Sequence, residues 1–166
     1  NIPLMYPNIK EIMDIIVEEN VKIVFTSAGN PTEWTSWLKK FDITVVHVVS
    51  SLKFAKKAVD AGVDAIVAEG FEAGGHNGRE ETTTFALIPL VTKQISIPVI
   101  AAGGIATGKG ALAAMALGAE GVQIGSRFVT SVESSAHAAF KNAVVNSKEG
   151  DTKLTLKELT PVRLMK

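Results

Sequence analysis

The chain has 166 residues, 46% of them hydrophobic and 20% charged, and its 17 basic and 17 acidic side chains leave no net charge. This composition fits a globular protein of about one domain with ample material for a core. The neutral balance argues against nucleic acid or an anionic membrane as partner, since both reward a basic surface. No apolar run reaches the roughly 18 residues needed to cross a bilayer. The absence of cysteine excludes disulfides, a thiolate nucleophile and Cys-based metal sites, and it fits a cytoplasmic chain.

The chain opens on Asn1-Ile2-Pro3-Leu4-Met5 as if already inside an element, which reads as part of something longer. Asn8 stands where a helix cap would, with Glu11 three residues on in a capping-box position. Ile9, Ile12, Met13, Ile16 and Val17 then recur at helical spacing. Val21 to Phe25 is a β-branched run of strand character, and Asn30-Pro31 opens a helix whose Trp34, Trp37, Leu38 and Phe41 share a face. Ile43 to Val49 is the next strand, Phe54 to Ala61 a helix closed by Gly62, and Val63 to Val67 a strand. Thr82-Thr83-Thr84 supplies a cap for a helix from Phe85 to Ile95, interrupted by Pro89. Ile97 to Ala101 is a strand, Ala111 to Leu117 a helix ended by Gly118, Gly121 to Ile124 a strand, and Ser134 to Val145 a last helix. The segment from Lys148 has no assignable pattern.

Five apolar strands, each followed by a helix, are βα units of a parallel sheet buried on both faces. A doubly wound sheet would carry its glycine fingerprint on the first βα turn. Here the glycines gather on the later strands, which is the habit of the (β/α)₈ TIM barrel. A whole barrel needs about 250 residues. The expectation is therefore a single domain over residues 1–166, a partial barrel of about five βα units without its first strands.

The chemistry-bearing segments lie at strand ends. Ala68-Glu69-Gly70-Phe71-Glu72-Ala73-Gly74-Gly75-His76-Asn77-Gly78 holds four glycines, two carboxylates and one of three histidines. A titratable side chain in a glycine-rich loop after a strand is where α/β proteins keep their chemistry, although such loops also serve as plain turns. Gly103-Gly104 and Gly125-Ser126 end two consecutive strands. Backbone N–H groups there can meet a phosphate with no Cβ in the way, and Ser126 adds a hydroxyl donor. Together they point to a phosphate-bearing cofactor. Arg127 reads as a surface residue, His47 as a strand-end pocket or packing residue, and His137 as a solvated or capping one. Trp34 and Trp37 read as helix packing. No His/Asp/Glu cluster has metal-ligand spacing, so no metal is expected.

Glu69 to Gly78, Pro98 to Gly104 and Gly125 to Phe128 resemble the flavin barrels of the nitronate monooxygenase and enoyl-acyl-carrier-protein reductase II superfamily. The resemblance implies an FMN-dependent TIM barrel, with the phosphate on the backbones of Gly103, Gly104, Gly125 and Ser126. It places Glu69 and the loop residues Ala73, Gly74 and Gly75 near the flavin, His76 over its reactive face, and Asn1 and Ser27 to Gly29 among lining positions. Many nitronate monooxygenases carry a His-Lys pair where this chain has His47-Val48, and the Glu69 to His76 segment is closer to the reductase form. The leading expectation is thus hydride transfer from NADH or NADPH via FMN to an enoyl thioester in fatty acid synthesis. The acceptor would be a small molecule or bound to acyl carrier protein, and a homodimer is compatible with the family. The alternatives are a nitronate monooxygenase and, from another class, a non-catalytic α/β module.

Overall fold

The computed structural model describes residues 1–166. Its elements run β1 (Ile2–Pro3), α1 (Ile9–Glu18), β2 (Ile23–Ser27), α2 (Thr32–Lys39), β3 (Thr44–Val49), α3 (Leu52–Asp60), β4 (Ala65–Glu69), β5 (Gly75–His76), α4 (Thr84–Thr92), β6 (Val99–Ala102), α5 (Gly108–Ala116), β7 (Gly121–Gln123), α6 (Ser126–Val129), α7 (Ala138–Asn146), β8 (Thr152–Thr155) and β9 (Val162–Met165). Six strands form a parallel sheet in the order β1-β2-β3-β4-β6-β7, and β5-β9-β8 form a small antiparallel sheet. The large sheet is a stretch of barrel wall, with β1 and β7 each paired on one side only.

The strands form where β-branched residues cluster, and alternation sends their side chains to two different layers. Val45, Val49, Ile66, Ala68, Val99 and Ala101 face the helices and join Met13, Leu38, Leu87, Ile88 and Val91 in a core of 19 buried residues. Each large aliphatic side chain buried there stabilises the fold by roughly 1.5–3 kcal/mol. On the other face Val46, Val67 and Ala102 make a smaller inner cluster, backed by Phe25, Val48 and Ile100. The three ion pairs, Lys10–Asp14, Lys39–Asp64 and Lys157–Glu81, are solvent-exposed and contribute little.

All five expected strands are present, and β1 adds a sixth that two residues are too few to announce. β4 runs two residues later than expected, so Ala68 and Glu69 end the strand rather than begin the loop. Asn8 makes no side-chain cap, which corrects the capping-box reading. The caps that form are Ser51 accepting from the Phe54 N–H at 3.4 Å, Thr107 accepting from Gly110 at 3.2 Å, and the His137 Nδ1 accepting from Ala139 at 3.1 Å. Pro89 lies inside α4. Trp34 and Trp37 stack edge to face at 5.7 Å against the core, as packing residues.

One junction fixes the carboxyl ends of β4 and β6. The Thr84 hydroxyl, at the start of α4, donates to the Gly103 carbonyl at 2.8 Å. The Glu72 carboxylate accepts from the Thr84 backbone N–H at 2.9 Å and so caps α4 from outside the helix. Gly70 and Gly103 must lack side chains for this junction to close. A Cβ at Gly70 would run into the Thr84 backbone, and one at Gly103 would lie 2.7 Å from the Gly70 carbonyl oxygen.

Gly70→Ala is therefore expected to destabilise the fold by about 2–3 kcal/mol or more. At Gly125 an added Cβ meets nothing within 4 Å, so Gly125→Ala should stay within about 0.5 kcal/mol of wild type. Urea denaturation followed by circular dichroism measures both. Equal stability of the two variants would contradict the junction.

Candidate functional site at the carboxyl ends of the strands

A cavity of about 780 Å³ opens at the carboxyl ends of the parallel strands. Asn1 and, from β1, Pro3 line it, together with Ser27 at the end of β2, Ala28 and Gly29 just after it, His47 to Val49 of β3, and Glu69 of β4. The loop after β4 brings in Gly74 and His76, so these two and Glu69 share one space.

Glu69 follows Val67 on the inner face of the sheet and sits beside Ala102 of β6. Its carboxylate has no hydrogen-bond partner in the protein, and burial raises its pKa to about 7. A carboxyl poised there near neutrality can donate as well as accept a hydrogen bond. His47 lies on the opposite face of the sheet, level with Thr26 and Ile66. It is 5% exposed, its Nδ1 is 2.7 Å from the Thr26 hydroxyl, and burial followed by the charge of Lys57 lowers its pKa to about 4. It is thus a neutral, fixed ring at a strand end, as its sequence position indicated.

His76 is exposed to the cavity and sits in β5, which pairs with β9 through Gly75–Arg163 and His76–Val162. Ala73 is buried beneath the loop, and Gly75 is held at φ 84° within β5. Gly103 and Gly104 adopt φ of 100° and 69°, and the nearest neighbours of their missing side chains are protein atoms of Gly70, Thr84 and Glu72. The structure thus gives these two glycines a packing reason of their own. Gly125 and Ser126 are exposed at the end of β7, and a Cβ on Gly74 would lie 3.7 Å from the Ser126 hydroxyl oxygen. The loop bearing His76 and the last glycine-bearing strand end are neighbours. Arg127 is exposed.

Thr160 and Pro161, which precede β9, also line the cavity. Nothing local in the sequence reveals them, because they reach the site through β5–β9 pairing across more than eighty residues. Tyr6, Phe54, Lys57, Arg79 and Glu80 are also among the lining residues.

A barrel wall of parallel strands with a carboxyl, an imidazole and glycine-bearing ends around one cavity is the active-site face of the (β/α)₈ enzymes. Within that class the chain belongs to the nitronate monooxygenase family: a family model of that description matches residues 6–165. A probable nitronate monooxygenase of Staphylococcus saprophyticus is 40% identical over 156 residues, which are 88% of this chain and 44% of that protein. Among solved structures, FabK from Thermotoga maritima superposes with a TM-score of 0.93 at 45% identity, covering 98% of this chain and 52% of that one. A nitroalkane oxidase from Streptomyces ansochromogenes superposes with a TM-score of 0.80 at 27% identity, covering 93% of this chain and 48% of that one. The chain spans about half the length of the relatives it matches.

The raised pKa of Glu69 has a consequence for stability. The folded state holds this proton more tightly than the unfolded chain, whose carboxyl titrates near 4.5. Between pH 4.5 and 7 the native state therefore binds more protons, and stability falls as pH rises, by at most about 3 kcal/mol. Glu69→Gln should remove this fall, gaining on wild type at pH 8 but not at pH 4. Urea midpoints at the two pH values test it, and a parallel pH response of both proteins would show that Glu69 titrates normally.

Proposed function

We propose that the protein is an FMN-dependent oxidoreductase that reduces an enoyl thioester with NADH or NADPH as co-substrate. The observation that carries this reading is the meeting of His76 and Glu69 in one cavity at the strand ends, with Gly74 of the same lining next to the Ser126 hydroxyl after β7. The residues present fit FMN. The cavity volume lies in the range of cofactor sites, about 300–1,000 Å³, and Gly125 leaves open the space that a side chain would fill. The backbone N–H groups of Gly104, Gly125 and Ser126, with the Ser126 hydroxyl, would hold the phosphate. Gly103 shapes that strand end, and Asn1, Ala73, Gly74 and Gly75 would border the ring system. When bound, FMN supplies the hydride-carrying ring that no side chain can provide.

The chain's own part is binding, orientation and proton handling. Glu69 offers a carboxyl that donates or accepts toward the polar portion of the cofactor. His76 is placed to give a proton to the α-carbon of an enoyl substrate, or to donate to its carbonyl oxygen as negative charge develops there.

Val48, in place of a lysine after His47, and the greater likeness to FabK than to the nitroalkane oxidase support the reductase. The family description and the names of the curated relatives favour a second reading, oxidation of nitronates with oxygen. In it His76 would orient the nitronate anion, or take the proton from a neutral nitroalkane to form it. Two assays separate them: crotonyl thioester with NAD(P)H under anaerobic conditions, and a preformed nitronate with oxygen. The reductase reading requires turnover in the first, and turnover only in the second would replace it.

His76→Ala should retain flavin and lose about 10²- to 10⁴-fold in transfer to the acceptor, so activity within a few-fold of wild type would assign His76 to loop structure alone. Gly125→Val should weaken FMN binding by one to several decades, since its side chain would keep the phosphate from backbone donors worth about 1–3 kcal/mol each. Unchanged flavin affinity would remove the phosphate from β7.

A further inference from the structure

The loop that carries His76 contains Gly70, Gly74, Gly75 and Gly78. Glycine makes such a loop costly to order, so an imidazole within it keeps one position only if the loop is held from outside. At its start the Glu72–Thr84 junction holds it. Further along, the β8–β9 hairpin does. The Asn77 N–H donates to the Pro161 carbonyl at 2.8 Å, Arg79 donates to the Leu159 carbonyl at 2.6 Å, and Lys157 pairs with Glu81 at 2.9 Å.

Arg163 joins these two regions. On β9 it stands opposite Gly75, the residue before His76. Its guanidinium lies 5.1 Å from the centre of the Phe71 ring, donates to the Phe71 carbonyl at 3.3 Å and reaches the Thr152 hydroxyl of β8 at 3.4 Å. Its Nε is buried without a partner, and no carboxylate forms an ion pair with it. A planar, half-buried cation over an aromatic ring is a rigid contact. It spans from the base of the loop to the strand beside His76.

We propose that Arg163 is a positioning residue for His76: it clamps Phe71 at the base of the loop to β9, and β9 sets where the imidazole stands in the cavity. The same hairpin supplies Thr160 and Pro161 to the cavity wall, so the catalytic ring and that part of the wall move together or not at all. Arg163 itself does not line the cavity. Its effect on turnover passes through His76, and this part of the inference rests on the function proposed above.

The test has an arm independent of activity. Amide hydrogen exchange is compared in wild type, Arg163→Ala and Arg163→Lys, with Phe71→Leu as a second way to remove the contact if Arg163→Ala folds poorly. Amides of residues 73–78 should exchange about tenfold faster or more in Arg163→Ala and Phe71→Leu, with an intermediate rate in Arg163→Lys and unchanged protection in β3 and β4. Unchanged exchange in 73–78 overturns the clamp whatever the protein catalyses. The second arm is a double-mutant cycle on the FMN-loaded protein. Arg163→Ala should lower kcat about tenfold in wild type, with KM and flavin affinity within about twofold, and change kcat less than twofold in a His76→Ala background. Equal losses in both backgrounds overturn the positioning role. If His76→Ala alone leaves turnover unchanged, the catalytic role proposed for His76 fails while the exchange arm still decides the clamp.

Discussion

The contact among Gly70, Thr84 and Gly103, locked by the Glu72 carboxylate, determines what the rest of the site can be. It joins the end of β4, the start of α4 and the end of β6 at distances that exclude any side chain on either glycine. Four polar groups that would otherwise be unsatisfied at strand and helix ends are paired there, each worth about 1–3 kcal/mol if orphaned. The loop that leaves the junction brings His76 to the cavity that Glu69 also lines. From the other side the β8–β9 hairpin holds the same loop, so a flexible sequence is fixed at both ends by elements far apart in the chain.

The interior of the site has the electrostatics that burial imposes. Glu69 has no partner and is pushed toward its neutral form, and His47 is held neutral beside Thr26. Lys57, Arg79 and Glu80 also line the cavity, so charges of both signs surround these two buried groups. No helix of the chain is long and apolar enough to cross a membrane.

The parallel sheet was legible because its strands are apolar on both faces and are followed by helices at regular intervals. Of the residues that the sequence marks as a site, Asn1, Glu69, Gly74 and His76 line one cavity, whereas Ala73, Gly75, Gly103, Gly104, Gly125 and Ser126 do not line it. What the sequence concealed depends on long-range pairing. β1 and β5 have two residues each and exist only through their partners, and β9 acquires meaning only beside β5. Thr160 and Pro161 share that fate. Gly103 and Gly104 show a different limit. A glycine pair at a strand end announces a close approach, but local sequence does not say whether a ligand or the protein itself approaches. Here Gly70, Thr84 and Glu72 lie where side chains on these glycines would go, which accounts for the missing Cβ atoms without deciding what the backbone N–H groups meet. The Asn8 capping box failed because a cap depends on the direction from which the chain enters the helix, which residue type alone does not set.

The central claim is that the strand-end cavity takes FMN. Titrating the purified, folded protein with FMN while following the flavin absorption and fluorescence tests it most directly. The account predicts saturable binding of one FMN per chain at micromolar or lower concentration, with a perturbed flavin spectrum and fluorescence that changes on binding. A protein that is cooperatively folded by circular dichroism, yet leaves the flavin spectrum and fluorescence unchanged throughout the titration, would contradict it.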